Sequence, residues 1–148
     1  MYGSGLRVGE SIKVKIEDFD ISNKILIIRR GKGDKDRIVN LSERFISNFL
    51  NFTKSKKSGY LFESEHTLGK HITQRTAQQI VKNALKKSDI NKKAHPHTFR
   101  TSFATHLIEN GIDISYVQKL LGHSRLSTTQ AYIRLSQNSI RSIKSPLD

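Results

Sequence analysis

The sequence predicts an α+β domain that is mainly helical and carries one small antiparallel sheet. Three observations lead to this prediction. Apolar residues recur at helical spacing in several segments, one β-branched segment precedes a glycine-rich turn, and helix-boundary residues stand at segment ends. The 148 residues are the length of one ordinary domain, so residues 1–148 are expected to form a single unit.

The first half of the chain contains the predicted sheet. Residues 3–12 begin as a loop and enter a short helix at Leu6. A hairpin is predicted near residues 24–41, because a β-branched strand is followed by the turn GKGDKD at residues 31–36 and then by a returning strand. Residues 42–56 form an amphipathic helix, with an apolar side made of Phe45, Ile46, Phe49 and Leu50.

The second half is predicted to be helical throughout. Residues 71–88 form a helix with Ala77, Ile80, Val81, Ala84 and Leu85 on its inner side. The later helix boundaries come from capping residues: Pro96 begins a helix that Gly111 ends, Asp113 caps residues 114–121 before Gly122, and Ser127 caps residues 128–135. The tail at residues 136–148 is polar, with spaced Ile140, Ile143 and Leu147.

Charge is the most informative property of the composition. Lysine and arginine number 26 against 13 acidic residues, a net charge of +13, and the basic residues divide evenly between residues 1–60 and 61–148. A body that is basic throughout favours a polyanion, so nucleic acid is the expected partner, although a merely soluble or RNA-associated basic protein would share this composition.

The composition also excludes several classes of site. With no cysteine, disulfides, a thiolate nucleophile and a thiolate-bound metal are ruled out. No apolar run approaches the roughly 20 residues of a membrane span, and residues 1–10 lack the apolar region of a signal peptide. A cytoplasmic location and no membrane partner are therefore expected. His97 and His106 face opposite sides of their helix, and the carboxylates are scattered, so no metal site is predicted.

The segment His97–Arg100 gives the first indication of chemistry. The two residues are three apart and share a helix face. Arg100 falls near the middle of an apolar arc formed by Phe99, Phe103 and their neighbours. A guanidinium among packed apolar side chains is costly unless an anion meets it. The arginine therefore either awaits a phosphate, which its planar fork suits, or pairs with one of the acidic residues.

Four other residues are weaker candidates when taken singly. His123 follows Gly122 between helix ends and can expose both ring nitrogens, but a solvated loop histidine is the commoner case. Tyr132 is more often a packing residue than a nucleophile, and residues 114–135 also resemble a helix-turn-helix. Arg7 lies near a helix start, where Glu10 can pair with it. Lys32, between two glycines, projects freely from the hairpin turn, as a solvated turn lysine also would.

The joint order of these residues is far more specific. It resembles the tyrosine recombinase/integrase family, Xer-like and particularly its archaeal members, from about Gly3 to Tyr132. The motifs that carry the resemblance are GLRVGE, GKGDKDR, HTFRTSFATHLIENG and LLGHSRLSTTQAY, which hold Arg7, Lys32, His97, Arg100, His123 and Tyr132.

The resemblance implies a DNA strand-breaking and rejoining enzyme that acts on double-stranded DNA. Tyr132 would attack a phosphodiester and become joined to its 3′ phosphate, and Arg7 and Arg100 would clamp the phosphate oxygens. His97 and His123 would assist with hydrogen bonds and proton movement. Lys32 would protonate the departing 5′ oxygen. Because arginines supply the positive charge and the covalent link conserves the bond energy, neither a metal nor a small-molecule cofactor is expected.

Two departures from the family pattern qualify this expectation. Thr101 stands where many relatives have a second histidine. Family members also carry an N-terminal core-binding domain, so residues 1–148 are expected to be a catalytic domain truncated at its N-terminus. The resemblance further implies a tetramer on paired sites, with residues 136–148 as a protomer-docking segment. A non-catalytic DNA-binding remnant, a type IB topoisomerase and a helix-turn-helix regulator remain alternatives.

Overall fold

The structure is a computed structural model that describes residues 1–29, 36–54, 56–88, 90–123, 129–130 and 132. Helices predominate in this part of the chain, as predicted, and the strands are short. None of its helices has the length and apolar content that a bilayer span requires. The helices are α1 (Val8–Ser11), α2 (Glu43–Thr53), α3 (Gln74–Lys87), α4 (Pro96–Glu109) and α5 (Ile114–Leu121). The strands are β1 (Phe19–Asp20), β2 (Ile25–Ile28), β3 (Arg37–Asn40), β4 (Glu63–Ser64) and β5 (Thr67–His71).

The predicted hairpin is confirmed as the centre of a three-stranded antiparallel sheet of order β1-β2-β3. Leu26 lies opposite Val39, and both are buried, because side chains that alternate along a strand place every second residue on the core face. The short helix predicted from Leu6 begins two residues later, at Val8. The predicted turn at residues 31–36 lies outside the described residues except for Asp36.

Helix α2 covers the apolar face of this sheet. Ser42 caps it, since its hydroxyl accepts a hydrogen bond of 3.2 Å from the Phe45 amide. Ile46 and Phe49 are buried, and the Phe49 ring packs on Phe19 at 4.3 Å between centroids. The prediction that Leu50 faces inward is wrong: its side chain is 53% exposed, because the sheet is narrow and covers only one side of the helix.

The region around residue 71 differs from the prediction. Residues Thr67–His71 form a strand paired with Glu63–Ser64, and the helix begins only at Gln74, with Thr73 as its cap. Of the residues predicted to face inward on α3, Val81 is buried, but Ile80 is 56% exposed and Ala84 is also exposed. Helix α3 packs against α1 and α4, and Ala77 and Leu85 are half-buried, so two of the five predicted inner residues face outward.

The boundaries of α4 and α5 are confirmed. Pro96 is the first residue of α4, and Gly111 after its end has a φ of +81°. The Asp113 carboxylate caps α5 by accepting a 2.8 Å hydrogen bond from the Ser115 amide. Gly122 ends α5 in the left-handed conformation.

The final part of the chain is described only at three positions. Thr129, Gln130 and Tyr132 are helical, within the helix predicted for residues 128–135. The bounds of that helix, the tail at residues 136–148 and the proposed docking residues in it lie outside the described residues.

Candidate active site

Arg100 is the most deeply buried charged residue in the described part of the chain, with 1% of its side chain exposed. Its Nη1 donates to the Gly5 carbonyl at 2.5 Å, and its Nη2 donates to the Leu121 carbonyl at 2.7 Å and to His123 Nε2 at 2.9 Å. The closest carboxylate oxygen, on Glu10, is 3.9 Å away. Neutral acceptors therefore hold most of this guanidinium, and its positive charge remains only partly compensated.

Burial, together with the positive charge of the neighbouring Arg7, lowers the pKa of Arg100 to about 10. Arg100 therefore stays protonated at neutral pH. The sequence-based prediction that this arginine lies within an apolar arc is confirmed, since Ala104, one turn further along α4, is also fully buried.

Gly5 shapes the pocket that receives Arg100. It has a φ of +60°, and a Cβ at this position would lie 2.6 Å from the Phe103 ring and 2.9 Å from a Leu121 methyl. Only glycine allows the backbone to approach α4 and α5 this closely and to present its carbonyl to the guanidinium. Sequence reasoning assigned Gly5 no role, although a glycine directly before an arginine motif is a signal for such an approach.

A cluster of charges surrounds Glu10, which the sequence suggested only as a partner of Arg7. Its carboxylate accepts from the Arg7 amide at 2.7 Å, from Arg7 Nη1 at 3.0 Å, and from Arg37 Nη1 and Nη2 at 2.8 Å each. Burial alone would raise the pKa of Glu10, but the hydrogen bonds from Arg37 and from the Arg7 amide outweigh it and lower the pKa to about 2. Glu10 is therefore ionised at every physiological pH.

Arg37 was missed as a site residue. It shares the core-facing side of β3 with Val39, two residues on, and its side chain is 11% exposed. An arginine on the core-facing side of a strand needs a polar partner. The alternation of core-facing and exposed positions along β3 could therefore have identified Arg37 as a site residue. Its Nε also donates to the Leu120 carbonyl at 3.1 Å, so it joins the hairpin to the end of α5.

Arg7 reaches the same place from the start of α1. Its Nη2 donates to the Gly122 carbonyl at 3.4 Å, and its side chain is 29% exposed. Glu10 Oε1 accepts from the Arg7 guanidinium, and Glu10 Oε2 lies 3.9 Å from Arg100 Nη1, so the two guanidinium groups are brought together around one carboxylate. The predicted pairing of Arg7 with Glu10 is confirmed.

The sequence left His123 as either a ligand-facing or a solvated loop histidine, and in the structure both of its ring nitrogens contact protein groups instead. Its Nε2 is 2.9 Å from Arg100 Nη2, and its Nδ1 is 2.9 Å from Thr129 Oγ1. A guanidinium can only donate, so Nε2 accepts, and Nδ1 carries the proton and donates to the threonine hydroxyl. The imidazole is therefore held as one neutral tautomer that orients the guanidinium.

Tyr132 lies directly beside this imidazole. Its ring and that of His123 are 6.2 Å apart between centroids and nearly parallel, at 23°. The tyrosine is 7% exposed and packs with Ala104, Val117 and Leu121. Tyr132 is thus a packing residue that also borders the arginine site. Its interpretation as a packing residue and its interpretation as a nucleophile therefore do not exclude one another.

His97 lies at the edge of the site, at the exposed start of α4. Partial burial lowers its pKa, and the charges of Arg100, His95 and Arg7 lower it further. The imidazole is therefore mostly neutral at pH 7, and the influence of both arginines places it near them. Lys32, the remaining predicted site residue, lies outside the described residues.

A cavity of about 810 Å³ opens beside Arg7, between α1 and the hairpin. Its lining includes the cationic side chains of Lys13, Lys15 and Arg29 together with the ring of Tyr60. The same lining also includes Glu17 and Asp18, which pair with Lys15 at 3.9 Å and with Arg29 at 2.9 Å, so much of this positive charge is already neutralised. The cavity extends the arginine site along the surface of the domain.

The fold and this grouping are consistent with the family that the sequence motifs resemble. Comparison with known proteins agrees. The sequence model of the phage integrase family matches residues 1–139, and the chain belongs to that family.

The chain is similar to Xer recombinases in sequence and structure. It is 40% identical over 144 residues to tyrosine recombinase XerA of Pyrococcus horikoshii and 38% identical over 149 residues to XerD of Staphylococcus epidermidis, covering 95% of this chain and 50% of each relative. It superimposes on a crystal structure of XerA recombinase with a TM-score of 0.82 at 35% identity, over 95% of this chain and 52% of that one. A structure of XerH bound to its difH substrate gives a TM-score of 0.72 at 29% identity, over 95% and 42%. The chain thus spans about half the length of the curated relatives it matches.

Proposed function

We propose that the chain is the catalytic domain of a site-specific DNA recombinase, which breaks and rejoins DNA strands through a 3′-phosphotyrosyl link on Tyr132. One observation carries the proposal. The buried guanidinium of Arg100 is hydrogen-bonded to His123, and the His123 ring stacks on Tyr132. A nucleophile candidate and a phosphate-binding cation are thereby joined through a single imidazole.

The substrate we propose is the phosphate backbone of double-stranded DNA. Arg7 and Arg100 present forked donors that suit two phosphate oxygens. Both are already held in place by protein groups, so little reorganisation accompanies binding. The net charge of +13 attracts the polyanion from a distance. The relative XerH has been captured on its difH DNA substrate, which supports the same class of ligand here.

In the proposed cleavage step, the Tyr132 oxygen attacks the phosphorus and the bond to the 5′ oxygen breaks. The pentavalent transition state carries more negative charge than the diester, and the two arginines stabilise that increase. The tyrosine proton passes to a base, a role we assign to the neutral imidazole of His97. Lys32 donates a proton to the departing 5′ oxygen, the role its motif implies. A 5′ hydroxyl of a second strand then attacks the phosphotyrosine, which restores the diester and releases the phenol.

The finer parts of the proposal come from the resemblance and the relatives. They are a homotetramer assembled on paired DNA sites, action in the cytoplasm, a protomer-docking role for residues 136–148, and a second half of the protein that completes the grip on DNA. The protomer-docking role has a direct test. If removing residues 137–148 leaves self-association on DNA unchanged, the docking role fails.

A nicked suicide duplex tests the chemistry, because loss of a short fragment after cleavage prevents religation and leaves the protein joined to DNA. We expect a covalent adduct with the unaltered chain and none with Tyr132→Phe, which removes only the hydroxyl. Arg100→Lys should keep the charge but lose the fork and form the adduct more slowly. The N-terminal half of a Xer relative, supplied in trans, completes the DNA contacts in a parallel reaction.

Other outcomes of this test would point elsewhere. If the chain binds the duplex but forms no adduct even with the N-terminal half supplied, it is a non-catalytic DNA-binding domain. If the adduct forms and the chain relaxes supercoiled DNA without exchanging strands, the activity is that of a type IB topoisomerase. If Arg7→Ala leaves tight, sequence-specific binding unaffected, the arginine site has no part in recognition and a helix-turn-helix interpretation gains.

A further inference from the structure

Arg37 ends the GKGDKDR motif, but the resemblance to the family assigns a role only to Lys32 of that motif. We propose that Arg37 is a positioning residue for DNA cleavage: by holding both oxygens of Glu10, it prevents this carboxylate from closing onto Arg100 and leaves the arginine pair able to bind a phosphate. The inference rests on the proposed function for its cleavage readout, and a separate anion-binding readout makes it testable without that function.

The contacts of Arg37 fix its guanidinium from two directions. Both Nη atoms donate to Glu10 at 2.8 Å, one to each carboxylate oxygen, and Nε donates to the Leu120 carbonyl at 3.1 Å. A bidentate pair of this kind is directional as well as strong. With only 11% of its side chain exposed, Arg37 offers little surface to DNA. Its effect on a bound phosphate would therefore pass through Glu10.

The turn at Gly122 is built closely around Arg37. A Cβ at Gly122 would lie 3.2 Å from Arg37 Cδ, and the glycine also adopts a φ of +62°. The carbonyl of the same glycine accepts from Arg7, and the next residue is His123. Arg37 thus packs directly against the turn whose Gly122 carbonyl binds Arg7 and whose next residue is His123. This packing fixes the Arg37 side chain and so limits where the Glu10 carboxylate that it binds can lie.

The distances around Glu10 show what Arg37 prevents. Glu10 Oε2 accepts from Arg37 Nη2 at 2.8 Å and from the Arg7 amide at 2.7 Å, and it lies 3.9 Å from Arg100 Nη1. A movement of about 1 Å, the difference between these distances, would give the carboxylate a direct ion pair with Arg100. Ion pairs are strong where water is largely excluded. Once paired in this way, Arg100 would bind a phosphate only by first giving up the carboxylate.

Four variants separate this role from simple structural support. Arg37→Met removes the charge and keeps an unbranched stem, and Arg37→Lys keeps the charge without the fork. Arg37→Met combined with Glu10→Gln also neutralises the competing carboxylate. Arg44→Met, on the exposed surface of α2, is the matched control for loss of one positive charge.

The first readout is the rate of adduct formation on the suicide duplex, compared with the DNA dissociation constant measured in a Tyr132→Phe background. We expect Arg37→Met to cleave about 10- to 100-fold more slowly, as misplacement of a binding group does, while the dissociation constant changes far less. Arg37→Lys should be intermediate and Arg44→Met unchanged. The double variant should cleave faster than Arg37→Met alone, a recovery that lost structural support would not produce.

The second readout is the rise in unfolding temperature as inorganic phosphate replaces chloride at constant ionic strength. Phosphate should stabilise the unaltered chain, Arg37→Met should lose that response, and the double variant should regain part of it. If the unaltered chain forms no adduct, the proposed function fails, and this readout still decides the role of Arg37. Equal responses in the unaltered chain and Arg37→Met, or a double variant worse than Arg37→Met in both readouts, overturn the inference.

Discussion

Glu10 offers the sharpest physical test, because its stabilising effect depends on pH in a calculable way. Its pKa falls from an ordinary value of 4.5 to about 2 in the folded chain. Each pKa unit corresponds to about 1.4 kcal/mol, so ionised Glu10 contributes at most about 3 kcal/mol to the free energy of unfolding. This is a large part of the roughly 5–15 kcal/mol that stabilises a typical domain.

The sign follows from proton binding. Between pH 4.5 and 2 the unfolded chain binds a proton at Glu10 that the folded chain does not bind. The contribution of this carboxylate is therefore fully present above pH 4.5 and is lost as the pH falls toward 2. Removing the carboxylate should cost most at neutral pH and progressively less in acid.

The assay is urea unfolding followed by circular dichroism at pH 7, 5, 4 and 3, with Glu10→Gln compared with the unaltered chain. We expect a difference of up to about 3 kcal/mol at pH 7 that narrows through the acid range. Glu65→Gln, at an exposed turn position, controls for loss of one carboxylate. A difference that stays constant from pH 7 to pH 3 would show that Glu10 acts through packing and not through its charge.

Four further outcomes follow from the structure. Gly122→Ala should lower the free energy of unfolding by about 1–2 kcal/mol, because an alanine is strained at φ +62° and its Cβ meets Arg37; urea unfolding measures it. Asp113→Ala, which removes the cap of α5, should cost about 1 kcal/mol in the same assay. DNA affinity, followed by fluorescence anisotropy, should fall steeply between low and physiological salt. The cleavage rate should hold from pH 8 to about 6.5 and decline only below it, because the lowered pKa of His97 keeps its imidazole neutral to a lower pH than usual; His97→Gln should remove that decline.

Helix and hairpin boundaries set by local backbone constraints could be predicted from the sequence. Pro96 at the start of α4, Gly111 after its end and Gly122 after α5 are all where their backbone preferences place them. The β4-β5 hairpin was missed for the opposite reason. Its second strand is exposed along most of its length, with Leu68 95% exposed, so no alternation of buried and exposed residues marks it in the sequence.

The candidate site shows the same division between local and distant information. The burial of Arg100 could be predicted because the apolar arc around it lies on its own helix. The partners of His123 could not, because Arg100 is 23 residues away in sequence and the contact depends on how α4 and α5 pack. The bond between Arg37 and Glu10 joins residues 27 apart on different elements. The strand pattern indicates that Arg37 needs a partner, but no local pattern identifies Glu10 as that partner.

The balance of charge at this site explains how a cationic pocket can be assembled before DNA arrives. Among the described residues, three guanidinium groups, those of Arg7, Arg37 and Arg100, lie within 4 Å of the Glu10 carboxylate, and these four side chains together carry a charge of +3 − 1 = +2. Without the carboxylate, mutual repulsion and burial would oppose holding the arginines together. A second carboxylate would cancel most of the remaining charge. A phosphodiester brings one negative charge, and attack on its phosphorus adds a second. The surplus of +2 therefore matches the charge of the transition state better than the charge of the bound diester. A pocket with this balance stabilises the transition state more than the bound substrate, which is the condition for faster cleavage.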